Sequence, residues 1–171
     1  GPRASRRRRS TRSCRPGGDR VLTVVASGKA APGVTTSTWA LALCWPRPLL
    51  LADCDQAGGD MAPGLLAGRV GVDRGLLSWS TAARGGLPAT AAAALLAEHA
   101  VQVPEHPPLA LIPGFVTATQ GTSFTSETWQ RLALALQESM SVIGRDALVD
   151  AGRLVTDRGC WSVLRAADQV L

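Results

Sequence analysis

A chain of 171 residues with 46% apolar side chains can bury one sizeable core, and its length favours one domain over two. Charged residues at 18%, with 18 Gly and 11 Pro, exclude a coiled coil, collagen and disorder throughout, while the best apolar run, Ala40 to Ala52, is too broken by Pro46, Arg47 and Pro48 to span a membrane. The net charge of +5 is unevenly placed: residues 1 to 20 hold eight Arg against Asp19 alone, a local +7, and the remainder is slightly acidic at −2.

The chain therefore divides into a basic tail over residues 1–20, without apolar periodicity, and a folded domain over residues 21–171. The arm reads either as a solvated tail, which its composition favours, or as a segment that contacts DNA or anionic membrane by counterion release. A twin-arginine or Sec leader is set aside, because the apolar run Val21 to Ala26 is short and is followed by Lys29. That run is rich in β-branched residues and predicts a buried strand. Thr35 to Trp45 predicts a helix that is apolar nearly all round, stopped by Pro46, and Pro48 to Asp53 a second strand without alternation, so a βαβ unit closes by residue 53. Gly58 to Gly71 reads as loop-rich. Helices are predicted for Arg74 to Arg84 and Ala89 to Val101, and a strand for Leu109 to Ile112. Ser126 is placed to cap a helix running through Ser139, with Glu127 in its first turn. A strand over Ala147 to Asp150, a helix over Cys160 to Ala167 and a strand over Gln169 to Leu171 complete the order. The alternation predicts an α/β fold with a mainly parallel β-sheet flanked by helices.

Cys14, Cys44, Cys54 and Cys160 make no C-x-x-C pair, and His99 and His106 lie far from them in sequence, so no zinc framework is indicated. Scattered thiols fit a reducing, cytoplasmic compartment. The five Trp fall mostly in apolar helices and read as packing residues.

The stretch Ser27-Gly28-Lys29-Ala30-Ala31-Pro32-Gly33-Val34-Thr35-Thr36 joins a buried strand to a helix N-terminus. Backbone N–H groups there can curl around an anion, the helix dipole adds partial positive charge, and glycines allow close approach. Against G-x-x-x-x-G-K-[ST], Gly28, Gly33 and Thr35 match, while Val34 stands at the lysine. Asp53 and Asp55 end the second strand and Asp150 ends a later one, so a parallel sheet carries all three toward the edge that bears the loop. Carboxylates gathered near phosphates call for a divalent cation. Thr35 and Asp150 are candidates to hold Mg2+, an ion that prefers hard oxygen ligands and keeps several waters.

These motifs resemble the ParA/MinD family of deviant Walker-A ATPases. Lys29 to Thr36 resembles the family loop K-G-G-x-G-K-T-[ST], Asp53-Cys54-Asp55 its D-x-D, and Gln56 to Asp60 its P-Q-G-G-N run. Ala147 to Gly152 resembles its Walker-B strand, and Arg165 to Leu171 the A-A-D-x-V-L strand beyond. The resemblance covers roughly residues 21 to 171. It implies a P-loop NTPase fold and ATP with Mg2+ as cofactors, with Gly28, Lys29, Ala30, Ala31, Pro32, Gly33, Val34, Thr35 and Thr36 around the nucleotide. It further implies Thr35, Asp53 and Asp150 on the metal side, Asp55 as the carboxylate that orients water, and Lys29 as the lysine that reaches a partner's phosphates in a homodimer. The implied role is a nucleotide-dependent dimerisation switch that positions or partitions a cellular cargo, working with a cargo or activating protein.

Three departures qualify that expectation. Val34 removes a charge-assisted hydrogen bond of roughly 1.5 to 3 kcal/mol, so hydrolysis is expected to be weak or lost. Ala30 and Ala31 replace glycines. The sequence ends at a strand and lacks an initiator Met, so it is read as a domain incomplete at its C-terminus. A non-hydrolysing pseudo-ATPase scaffold, acting through protein contacts in septum or pilus localisation, is the alternative reading. A P-loop ligase or iron–sulfur reductase ranks below both, for want of cluster spacing among the cysteines.

Overall fold

The computed structural model describes residues 20–29, 31–66, 70–71, 73–154 and 159–171. Ala30 and all of the basic tail except Arg20 lie outside the described residues. In chain order the elements are β1 (Leu22–Ser27), α1 (Val34–Leu43), β2 (Leu49–Asp53), α2 (Met61–Leu66), α3 (Leu76–Ala82), α4 (Ala89–His99), β3 (Val101–Gln102), β4 (Leu109–Ile112), α5 (Ala118–Thr122), α6 (Ser126–Val142), β5 (Asp146–Arg153), α7 (Trp161–Ala166) and β6 (Gln169–Val170). They build one six-stranded sheet in the order β3-β4-β2-β5-β1-β6, parallel except for the β3 edge.

Both faces of the sheet are covered, which is why the central strands carry no polar alternation. Leu22, Val24, Leu50, Ala52, Ala147 and Val149 face one core with Trp79 of α3, Leu96 of α4, Leu132 and Leu136 of α6 and Val163 of α7. Val25, Leu49, Leu51 and Leu148 face the other, with Ala42 of α1 and Met61 and Leu66 of α2. Trp79 and Trp129 are buried as packing residues, Trp79 donating from Nε1 to the Ala92 carbonyl at 3.0 Å. Phe115, Phe124 and Trp129 form an aromatic cluster beyond β4. Cys54 is fully buried in the first core, as a small apolar filler would be.

Short elements differ from the sequence expectation. The stretch Gly58 to Gly71 is not all loop, because α2 forms within it; Pro63 sits in its first turn, where a missing N–H costs no intrahelical bond. The helix ending near Val101 stops at His99, and Val101–Gln102 pairs antiparallel with β4. Helix α5 was not expected, and α6 is capped one residue earlier than Ser126: the Thr125 side chain accepts from the Thr128 N–H at 3.2 Å. β5 begins at Asp146 and runs on to Arg153.

Candidate functional site

Parallel pairing in register sets the carboxylates side by side. Asp53 on β2 lies opposite Asp150 on β5, and Val25 on β1 lies on the other side of Asp150. In the alternation of their strands both acids share the face of Leu51 and Leu148, the face that α1 covers. The loop between β1 and α1 leaves from the same edge, braced by Ser27, whose Oγ accepts from the Ala31 N–H at 2.8 Å. Gly33 stands at the N-cap of α1 with φ 99°, a conformation that favours glycine, and no side chain caps the first turn.

The acids are buried and short of partners. Asp53 is 1% exposed and Asp150 is fully buried, yet among the described residues Oδ2 of each finds no hydrogen-bond partner. The Asp53 Oδ1 accepts from the Asp55 N–H at 3.3 Å, and the Asp150 Oδ1 from the Gly152 N–H at 2.8 Å. Gly59 and Gly114 close around Asp53: a Cβ on Gly114 would stand 2.8 Å from the Asp53 Cγ, and one on Gly59 would fall on Oδ2. Burial, then the Asp150 charge, pushes the Asp53 carboxyl from 3.8 up to about 7, against the backbone N–H groups of Asp55 and Met61. Burial raises Asp150 as well, against hydrogen bonds from the Thr35 hydroxyl and the Gly152 N–H.

Asp55 is half-buried, and its Oδ1 accepts from the Ala57 N–H at 2.8 Å. Lys29, Gly28, Ala31, Pro32, Gly33 and Thr36 are exposed, Thr35 is half-buried, and Ala30 is not described. Val34 turns onto the α1-side core, packing against the cluster of Val25, Leu49 and Leu51. The structure thus brings Thr35, Asp53 and Asp150 together beside the loop and offers no cation at Val34.

Two orphaned carboxylate oxygens and a threonine hydroxyl form a hard-oxygen donor set of the kind Mg2+ takes, so these residues fit that ion. Among the described residues no group of three or more His, Cys, Asp or Glu forms a metal cage, so most ligands would come from phosphate and water. Burial raises Cys54 well above its usual value and Cys160 to about 12, which keeps both thiols protonated and poor metal ligands. Beyond Gly59 and Gly114, on the β4 side, a cavity of about 400 Å3 is lined by residues including Asp60, Arg74, Leu77, Phe115 and Val116, and by none from the β1–α1 loop.

Sequence reasoning missed the glycines that seat the acids. Gly59 stands in the Gln56 to Asp60 run and Gly152 at the end of the Ala147 to Gly152 run, yet neither motif assigns its glycine a place against an acid, and Gly114 stands in no motif.

No protein-family model matches the chain, and no curated protein matches it in sequence. Solved structures do. The septum site-determining protein MinD from Pyrococcus horikoshii OT3, complexed with Mg-ADP, superposes with a TM-score of 0.62 at 18% identity, over 88% of this chain and 56% of that one. McdA from Cyanothece in complex with ATP gives 0.58 at 17%, over 90% and 56%. MinD in the MinC:MinD cell division protein complex of Aquifex aeolicus gives 0.54 at 17%, over 87% and 54%. The chain thus spans a little over half the length of these proteins. No helix among the described residues is long and apolar enough to cross a membrane. At such identities the likeness is one of fold: this chain carries the mostly parallel α/β fold of the MinD and McdA structures.

Proposed function

We propose that the chain is a ParA/MinD-like ATP-binding protein, a cytoplasmic switch that dimerises around Mg-ATP to position a cellular cargo, with weak or no hydrolysis. The observation that carries this reading is the in-register pair Asp53 and Asp150, each buried with an unpartnered oxygen among the described residues, beside the strand–loop–helix turn that carries Thr35. A buried, unsatisfied carboxylate is costly, and a site of this kind is retained where a ligand supplies what the protein lacks.

In this reading the backbone N–H groups of the β1–α1 loop, to which Pro32 contributes none, and the N-terminus of α1 bind the phosphates, and Thr35, Asp53 and Asp150 hold Mg2+. The ion, when bound, neutralises phosphate charge. Asp55, at the open edge of the site, orients water, and Lys29, exposed in the loop, reaches the partner subunit's nucleotide. Val34 contributes packing and no positive charge, so transition-state stabilisation suffers more than ground-state binding.

ATP titration with and without Mg2+, followed by turnover of wild type and Val34→Lys, tests the proposal. The expected result is Mg2+-dependent binding with slow turnover that the lysine raises; a folded chain that binds no nucleotide overturns it. Val34, half-buried against the α1-side core, also favours a second reading, a pseudo-ATPase scaffold acting through protein contacts. Its mark would be nucleotide binding with no turnover in either form.

A further inference from the structure

We infer that Gly152 is a positioning residue that sets the spacing between Asp55 and Asp150; the inference rests on the nucleotide site proposed above. Three features of the backbone meet at this glycine. Its N–H donates to the Asp150 carboxylate at 2.8 Å. Its φ of 57° lies in the left-handed region, and its bare Cα lies under the Asp55 carboxylate, so that a Cβ would overlap all three atoms of that group. The third feature is a register shift.

Val25 pairs with Asp150, but Ser27 pairs with Arg153, so β5 carries one residue more than β1 across this interval. Such a bulge bends a strand and re-aims its neighbours, and bulges are common beside active sites. Here it falls where β1 gives way to the phosphate loop, and Leu154 still donates to the Ser27 carbonyl at 2.9 Å beyond it. Asp55 reaches the site from the loop after β2, held on one side by the Ala57 N–H and on the other by the surface of Gly152. One glycine therefore touches the acid of β5 through its N–H and the acid of the β2–α2 loop through its missing side chain. Any side chain at this position would push Asp55 away from Asp150.

Gly144 provides a control for backbone strain. It has φ 69° in the turn before β5, and a Cβ there would meet nothing nearer than Arg20 Nη2 at 3.9 Å. The test compares denaturant unfolding of the full chain, without nucleotide, in Gly152→Ala, Gly144→Ala, Asp55→Ala and the double variant Gly152→Ala/Asp55→Ala. Gly152→Ala should lower the unfolding midpoint clearly more than Gly144→Ala. Removing Asp55 should erase that excess, leaving the double variant below Asp55→Ala by no more than the Gly144→Ala shift. If Gly152→Ala does not fold, folding of the double variant supports the inference, and failure of both overturns it. An equal cost with and without Asp55 also overturns it.

A second readout separates positioning from general damage. In Gly152→Ala the affinity for ATP without Mg2+ should stay within twofold of wild type, while the gain on adding Mg2+ falls about tenfold; deleting Asp55 in that background should return the gain to the Asp55→Ala level. Loss of Mg2+-free affinity in parallel would overturn the inference. Wild type that binds no nucleotide would defeat the proposed function, and the nucleotide-free comparison would still decide the contact between Gly152 and Asp55.

Discussion

Strand β5 carries two fully buried aspartates on the same face, at opposite ends of the sheet, and they are treated in opposite ways. Asp146, at the end where β5 starts, accepts from the Val21 N–H at 3.2 Å and the Trp45 Nε1 at 2.8 Å, and pairs with the Arg47 guanidinium at 2.7 Å. Asp150, four residues on, faces a second carboxylate across the β2 register and keeps an oxygen without a partner. The first end is complete as folded, with its charge balanced by a half-exposed arginine. The second end leaves one oxygen of each of its two carboxylates without a partner among the described residues. Equal burial of two like residues therefore says little about function; what distinguishes them is whether the protein itself satisfies their oxygens.

Breaking the satisfied end should cost most. Asp146→Ala strips the Trp45 indole and the Val21 amide of their acceptor, and should lower stability by roughly 3 to 5 kcal/mol in denaturant unfolding. The unsatisfied end should respond with the opposite sign. Because the Asp53 carboxyl rises from 3.8 to about 7 on folding, the native chain binds its proton more tightly than the unfolded chain. The contribution of Asp53 to the stability of the nucleotide-free protein should therefore be fully present below about pH 4, be lost as pH rises towards 7, and level off above. Asp53→Asn should flatten that slope and, at pH 8, stabilise the protein by about 2 to 4 kcal/mol while abolishing the gain in ATP affinity from Mg2+. Urea midpoints across pH, read beside ATP titrations, check both halves.

Val34→Lys comes next. Supplying the missing cation should raise turnover by about ten- to a hundred-and-fifty-fold, the equivalent of roughly 1.5 to 3 kcal/mol, at a stability cost of about 1 kcal/mol for the lost packing. The smallest effect on the monomer is expected for Lys29→Ala. This exposed side chain should change unfolding free energy by less than about 0.5 kcal/mol, yet its loss should remove ATP-dependent dimerisation in light scattering.

The central strands and the turn from β1 into α1 are legible in the sequence because they combine signals that agree. Val21 to Ala26 is β-branched and leads into a glycine turn, and Pro48 to Asp53 is apolar without alternation, which only a doubly covered strand requires. The carboxylates at strand tips followed from parallel topology once those strands were placed. Helices α2 and α5 and strand β3 are too short for a period to register, and tertiary packing rather than propensity fixes them. The sequence predicts β5 only from Ala147, whereas the strand begins at Asp146, whose burial depends on Trp45 and Arg47, far away in sequence. The bulge at Gly152 was equally hidden, since a register shift exists only between two paired strands.

In the proposed function, Asp53 and Asp150 await a magnesium nucleotide. Calorimetric titration of Mg-ATP into the folded chain, repeated with Asp150→Asn, tests it most directly: wild type should bind with an affinity that Mg2+ strengthens, and the variant should retain its fold while losing that strengthening. Wild type that gives no heat, or the same affinity with and without Mg2+ in both proteins, would contradict it.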